Sequence, residues 1–180
     1  HPISVLVGRN AAGKSNTIDA LRFVRDALDT TLDFSVRERG GIDQVRCRSL
    51  GTRPSNFSIE LRLDGGEWKG SYRFEIAATA GRGYVVTEEE AIVRRPSGGE
   101  VSFKVHRGEV ITWGGRGTAP AAQGDRLFLV AASGTPEFGP MFQSLTRMAF
   151  HNLNPEAMKR PAAPEAGERL AYDGSNIASV

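Results

Sequence analysis

The chain opens on a short apolar run, Ile3 to Val7, bounded by Pro2 and Gly8. That is the pattern of a buried strand. From about Lys14 to Thr30 the period changes to that of a helix, with Ile18, Leu21, Phe23, Val24, Ala27 and Leu28 on one stripe. The stretch from Ser35 to Ser55 is polar and basic, and Gly40, Gly41 and Pro54 argue against one regular element there. From Asn56 the period becomes two. "NFSIELRLD", "WKGSYRFEIAAT", "YVVTEEEAIVRR", "VSFKVHRG" and "EVITW" alternate or carry short apolar runs, and Gly-rich turns separate most of them. This predicts an antiparallel meander or a set of hairpins. Gly114 to Asp125 reads as an exposed loop. "RLFLVAAS" fits a strand or a helix. The segment after Pro140 reads as a helix with Met141, Phe142, Leu145, Met148 and Ala149 inward. "KRPAAPEAGE" reads as a further loop. The order predicts an α/β core with an antiparallel β subdomain.

Between the first strand and the first helix, Gly8-Arg9-Asn10-Ala11-Ala12-Gly13-Lys14-Ser15 fits G-x-x-x-x-G-K-[ST] without a mismatch. Each residue type has a physical reason. Gly8 and Gly13 let the backbone turn and approach phosphate without a Cβ in the way. The N–H groups between them form a concave anion nest. The helix that follows adds the positive end of its dipole. Lys14, the candidate catalytic residue, would reach the β- and γ-phosphates, and the Ser15 hydroxyl would ligate Mg²⁺. The expected nucleotide site is therefore Gly8, Arg9, Asn10, Ala11, Ala12, Gly13, Lys14, Ser15 and Asn16. Arg9 could touch phosphate or simply be solvated. The chain holds no N-K-x-D string to read guanine, which favours ATP over GTP.

Composition narrows the picture only slightly. Net charge is +2, too small to argue for nucleic acid or a membrane surface by itself. Arg37, Arg39, Arg46, Arg48 and Arg53 make one basic stretch, so DNA is a candidate partner and a solvated loop is the alternative. Cys47 is the only cysteine, which points to a reducing, cytoplasmic setting. No run approaches the roughly 18 apolar residues of a membrane span. The first residue is His1, a strand follows almost at once, and a helix starts in the final "GSNIASV". Both ends read as cuts through a fold.

With Asn16 directly after Lys14-Ser15, "ISVLVGRNAAGKSNTIDALRFVRDAL" resembles the front of ABC-type ATPases of the SMC/RecF-like group. It resembles more closely the AAA_21 ATPases related to the OLD proteins. "RERGGIDQVR" and "LNPEAMKRP…LAYDGSNIASV" are similar to later segments of that group. Ala11 stands where those proteins usually have glycine. The resemblance implies a P-loop NTPase lobe of the ABC-ATPase type: residues 1–34 as strand, loop and helix, 55–113 as the β meander, and 125–180 as a mixed segment. It also implies ATP and Mg²⁺ as ligands, a head-to-head dimer with nucleotide between subunits, and work in DNA repair, DNA maintenance or phage defence. A non-enzymatic interaction module with a structural loop is the rival reading.

Hydrolysis in such proteins needs an apolar strand ending in paired acids and a serine-rich signature loop. Neither is found. "SIELRLD" ends in Asp64 but alternates, "LFLVAAS" ends without a carboxylate, and Glu88, Glu89 and Glu90 read as a solvated strand. His151 and Gln143 lie where a γ-phosphate sensor could fall, with surface or packing roles as the alternative. His1 and His106 lack partners at metal spacing. The expectation is a lobe that binds ATP and does not hydrolyse it alone, with a second lobe beyond Val180.

Overall fold

The computed structural model describes residues 5–10, 12–46, 55–159 and 170–177. The described residues fall in two compact units, 1–147 and 148–180. In the first, α1 (Lys14–Asp29), α2 (Leu32–Glu38) and α3 (Ile42–Val45) precede five strands. These are β1 (Asn56–Asp64), β2 (Lys69–Ala78), β3 (Tyr84–Arg94), β4 (Glu100–His106) and β5 (Glu109–Trp113). Two short helices follow, α4 (Phe128–Ala132) and α5 (Gly139–Thr146).

The strands form one antiparallel sheet in the order β1-β2-β3-β4-β5, the predicted meander. Alternation decides which residues face the helices. Ile59, Phe74, Glu89 and Val105 make one cross-strand row, and Leu61, Tyr72, Ala91, Phe103 and Trp113 another. Phe23 of α1 meets Phe57 edge-on at 5.7 Å and lies 6.3 Å from Phe74. Phe103 meets Phe128 and Phe138, each at 5.0 Å. Phe23, Val24, Ala27 and Leu28 of α1 and Met141 and Leu145 of α5 are buried with them. This is a layer of helices on one face of an antiparallel sheet. At Gly70 a Cβ would come within 2.8 Å of Met141 Cε and 2.3 Å of the Ile92 carbonyl oxygen, so glycine is what lets α5 lie that close. The opposite face is polar, and one row of it reads Glu60, Arg73, Glu90, Lys104 across four strands.

The second unit joins two pieces of sequence. The Asn152 N–H donates to the Tyr172 carbonyl at 2.8 Å and the Asn154 N–H to the Asp173 carbonyl at 2.9 Å. The Asn154 side chain caps α6 (Pro155–Met158) by accepting from the Glu156 N–H at 3.0 Å. Among the described residues no helix is long and apolar enough to cross a membrane.

Several expectations need correcting. Val5, Leu6 and Val7 are not a buried strand; they are 76%, 59% and 89% exposed and carry no ladder. An apolar run becomes a strand only beside a partner, and all five described strands are already paired antiparallel with one another. The described residues therefore contain no parallel pair of the α/β core. Ser35 to Ser55 is, as expected, not one regular element, but α2 runs into it as far as Glu38 and α3 follows Gly40-Gly41. Gly40 and Gly41 take φ of 81° and 92°, which stops α2 and starts α3. "RLFLVAAS" is helical at its centre, and Ala149 is exposed. Cys47 and most of "KRPAAPEAGE" lie outside the described residues.

The largest correction is Glu89, which is buried rather than solvated, at 1% exposure. Its Oε1 accepts from the Tyr72 hydroxyl at 2.9 Å and from the Leu129 N–H at 2.8 Å. Its Oε2 accepts from the Phe128 N–H at 2.5 Å. The carboxylate thus satisfies two orphan N–H groups at the start of α4 and ties that helix to β3. Burial pushes its pKa from 4.5 up to about 7, with the three donors opposing the rise. The folded state therefore keeps the proton longer than the unfolded chain, so this group's stabilising contribution falls as pH rises from 4.5 to 7. The loss amounts to about 3 kcal/mol. Glu89→Gln has no proton to release. Chemical denaturation across this window is expected to show the variant gaining on the wild type as pH rises; parallel profiles would contradict it.

Candidate functional site

The predicted loop leads directly into α1, the longest helix, at 16 residues. Gly13 takes φ of 86° and ψ of 5°, a left-handed conformation that closes the loop just before the helix starts. The first intrahelical bond runs from the Thr17 N–H to the Gly13 carbonyl at 3.0 Å. The N–H groups of Lys14, Ser15 and Asn16 precede that bond and have no intrahelical acceptor. They point along the helix axis with the positive end of its dipole.

Lys14 folds back over the loop. Its Nζ donates to the Gly8 carbonyl at 2.6 Å and to the Arg9 carbonyl at 2.8 Å. A second bond spans the turn, from the Ala12 N–H to the Arg9 carbonyl at 3.2 Å. A Cβ at Gly8 would lie 3.3 Å from the Ala12 Cβ, so the residue there must be small. A cavity of about 460 Å³ opens on this turn, lined by Asn10, Ala12, Gly13, Lys14, Ser15 and Asn16. The expected site residues Gly8, Arg9, Asn10, Ala12, Gly13, Lys14, Ser15 and Asn16 thus lie on one turn and the first turn of α1. Ala11 lies outside the described residues. The site carries the lysine as its cation beside helix-end N–H groups, with Ser15 exposed at its rim. That combination suits a polyanion bearing a hydroxyl-seeking cation.

The helix is held from its other end. Arg39 of the turn after α2 donates to Asp19 at 3.2 Å and to Asp26 at 3.3 Å, and its guanidinium sits 5.3 Å over the Phe23 ring. Arg37 pairs with Asp33 at 2.8 Å, and Arg46 pairs with Asp43. The basic stretch is therefore largely neutralised in the residues described, which weakens it as a DNA surface. Arg48 and Arg53 lie outside them.

The other described candidates of the first unit do not join the loop. Asp64 is exposed at the end of β1, its pKa lowered by the Gly66 N–H and then by Lys69. Glu88 faces Arg73 at 3.7 Å and His106 at 3.9 Å on the polar face of the sheet. His151 lies 3.4 Å from the Ala171 carbonyl, and Gln143 is exposed on α5. His1 is outside the described residues, and no cluster of metal-ligating residues occurs among those described. The residue that sequence reasoning missed is Glu89. Strand parity could have found it, because Ala91 and Val93 point inward and so must the residue two before Ala91.

A family model described as "AAA_21: AAA domain, putative AbiEii toxin, Type IV TA system" matches residues 3–110. The match takes in the loop, α1 to α3, β1 to β4 and the start of β5. No curated protein and no solved structure matches the chain.

The loop geometry can be probed without a ligand. A Cβ at Gly13 meets nothing within 4 Å, so Gly13→Ala tests backbone strain alone. The variant is expected to lose about 1 kcal/mol of stability in urea. An unchanged midpoint would contradict the left-handed turn.

Proposed function

The chain belongs to the AAA_21 family, and from that premise we propose that Gly8 to Asn16 hold the phosphates of ATP as its Mg²⁺ complex. The observation that carries this reading is the Gly13 turn. It brings Lys14 and the leading N–H groups of α1 around one cavity, which supports the reading of G-x-x-x-x-G-K-S as a phosphate loop. Lys14 exchanges its two carbonyl contacts for the β- and γ-phosphate oxygens. Ser15 supplies one oxygen to Mg²⁺, and the other ligands are water and phosphate. Asn10, Ala12 and Asn16 line the phosphate path, and Arg9 stands at its entrance. Membership of the AAA_21 family supports reading this chain as part of a P-loop ATPase. In our reading two such proteins meet head to head with nucleotide between them. ATP favours the pair, and hydrolysis resets it. The family description, with its toxin–antitoxin wording, supports defence against phage as the setting, with DNA repair or maintenance as the neighbouring possibility.

The chemistry of turnover is not assembled on the loop among the described residues. Glu89 is spent on Tyr72, Phe128 and Leu129 in the core, and Asp64 and Glu88 are occupied on the sheet. The proposal is therefore binding by this chain, with hydrolysis needing residues brought by a further segment or subunit.

Calorimetric titration with ATP and Mg²⁺ is the test. Saturable heat is expected from the wild type. Lys14→Ala removes the loop's cation and is expected to weaken binding at least tenfold, about 1.4 kcal/mol. Ser15→Ala is expected to weaken ATP·Mg²⁺ more than ATP with Mg²⁺ chelated. No heat at millimolar ATP, or equal heat from Lys14→Ala, would favour the rival interaction module. Robust turnover by the 180 residues, abolished by Lys14→Ala, would overturn the view that hydrolysis needs more than this chain.

A further inference from the structure

We propose that the outer edge of β1 is a self-pairing surface, where β1 of a second copy adds antiparallel and makes one ten-stranded sheet. Backbone sets the parity of the pairing, charge and overlap favour one register, and shape agrees with it.

The backbone comes first. The Ala78 N–H donates to the Ser55 carbonyl at 2.8 Å, one residue before the β1–β2 register begins at Asn56 opposite Ala77. Antiparallel pairs alternate between bonded and non-bonded. Phe57, Ile59, Leu61 and Leu63 therefore spend their backbone groups on β2. Those of Ser58, Glu60 and Arg62 point away from the sheet. Nine residues of edge carry no proline, and no register shift interrupts their pairing with β2. Edges of this kind are open to strand addition unless something guards them.

Charge and length of overlap then favour one register, since centring the axis on Leu63 would also set Arg62 against Asp64 but over a much shorter stretch. Bonding between two such edges must pair even-numbered residues with even-numbered residues. Centring the two-fold axis on Glu60 sets Glu60 against its own copy. Centring it on Arg62 sets Arg62 against itself and Glu60 against Asp64. Centring it on Leu61 places Glu60 opposite Arg62 twice and Ser58 opposite Asp64 twice. The row across the sheet already alternates as Lys104, Glu90, Arg73, Glu60. The next place outward calls for a base, and this register puts the second copy's Arg62 there.

Shape agrees. A groove of about 440 Å³ runs between α1 and β1, lined in part by Thr17, Ala20, Leu21, Ile59 and Leu61. Paired residues of a sheet point to the same side. The added strand would therefore turn its Ile59, Leu61 and Leu63 into this groove, with Leu61 beside Leu61 on the axis and Ile59 beside Leu63. Those residues are only half-buried in β1 as it stands, so the pairing covers apolar surface on both copies.

The pairing needs no nucleotide, and its test is run without any, so its failure would leave the loop's role untouched. Sedimentation of the purified protein over a concentration series is expected to show a monomer–dimer equilibrium. Arg62→Glu sets acids against acids and is expected to weaken dimerisation at least about tenfold. Glu60→Arg does the same with bases. A mixture of the two variants restores both ion pairs and is expected to return a heterodimer. Ser58→Pro removes an outward N–H, leaves the β2 ladder whole and is expected to give a folded monomer by circular dichroism. A protein that stays monomeric throughout would overturn the proposal. So would a dimer indifferent to Arg62→Glu and Ser58→Pro, or a mixture that fails to pair.

Discussion

Phe23 packs into the sheet between Phe57 and Phe74, and Arg39 closes over it while gripping Asp19 and Asp26. This contact fixes where α1 lies. The helix is buried along its second half, at Phe23, Val24, Ala27 and Leu28, while Ser15 to Ile18 stand exposed. It behaves as a beam clamped at one end. The free end carries the Gly13 turn, Lys14 and the orphan N–H groups. A phosphate site needs its donors held still before the ligand arrives, since ordering them on binding costs affinity. The clamp supplies that stiffness at a distance, and the sheet exists, from the site's point of view, to provide the clamp.

A second fixed point sits on the other side of the same sheet face. Glu89 gathers three donors from β2 and α4, so the segment after the Gly-rich loop is tied to the strands by a carboxylate as well as by Phe103, Phe128 and Phe138. Three donors converging on one buried group make a demanding arrangement, because each is left unsatisfied if the group is lost. It also removes Glu89 from any catalytic account. An acid in a P-loop protein invites a role with water or metal, but this one is sealed in the core with three donors already on its two oxygens.

The legible parts of the chain were those set by local rules. Alternation at Phe57-Ile59-Leu61-Leu63 and the Gly65-Gly66 turn give β1 at its observed bounds and β2 to within one residue at each end, and the stripe from Phe23 to Leu28 gives the buried half of α1. The turn ahead of α1 was legible because its pattern lies within eight consecutive residues, Gly8 to Ser15. What was not legible depends on distant partners. Val5 to Val7 read as a strand, yet a strand is made by its neighbour, and none of the described strands pairs with them. Glu89 read as surface because three acids in a row suggest solvent, although alternation forces at least one of Glu88 to Glu90 to face inward. Short helices such as α3 and α4 escaped because four or five residues carry too little period to register.

In the proposed reading, the turn at Gly13, held out by a clamped α1, receives nucleotide phosphates. Backbone amide spectra of isotope-labelled protein during titration with ATP and Mg²⁺ test it residue by residue. Saturable shifts are expected at Gly8 to Asn16, while the amides of β2 to β4 stay in place. Shifts confined to the groove between α1 and β1, or no shift at the loop as ATP reaches millimolar levels, would contradict it.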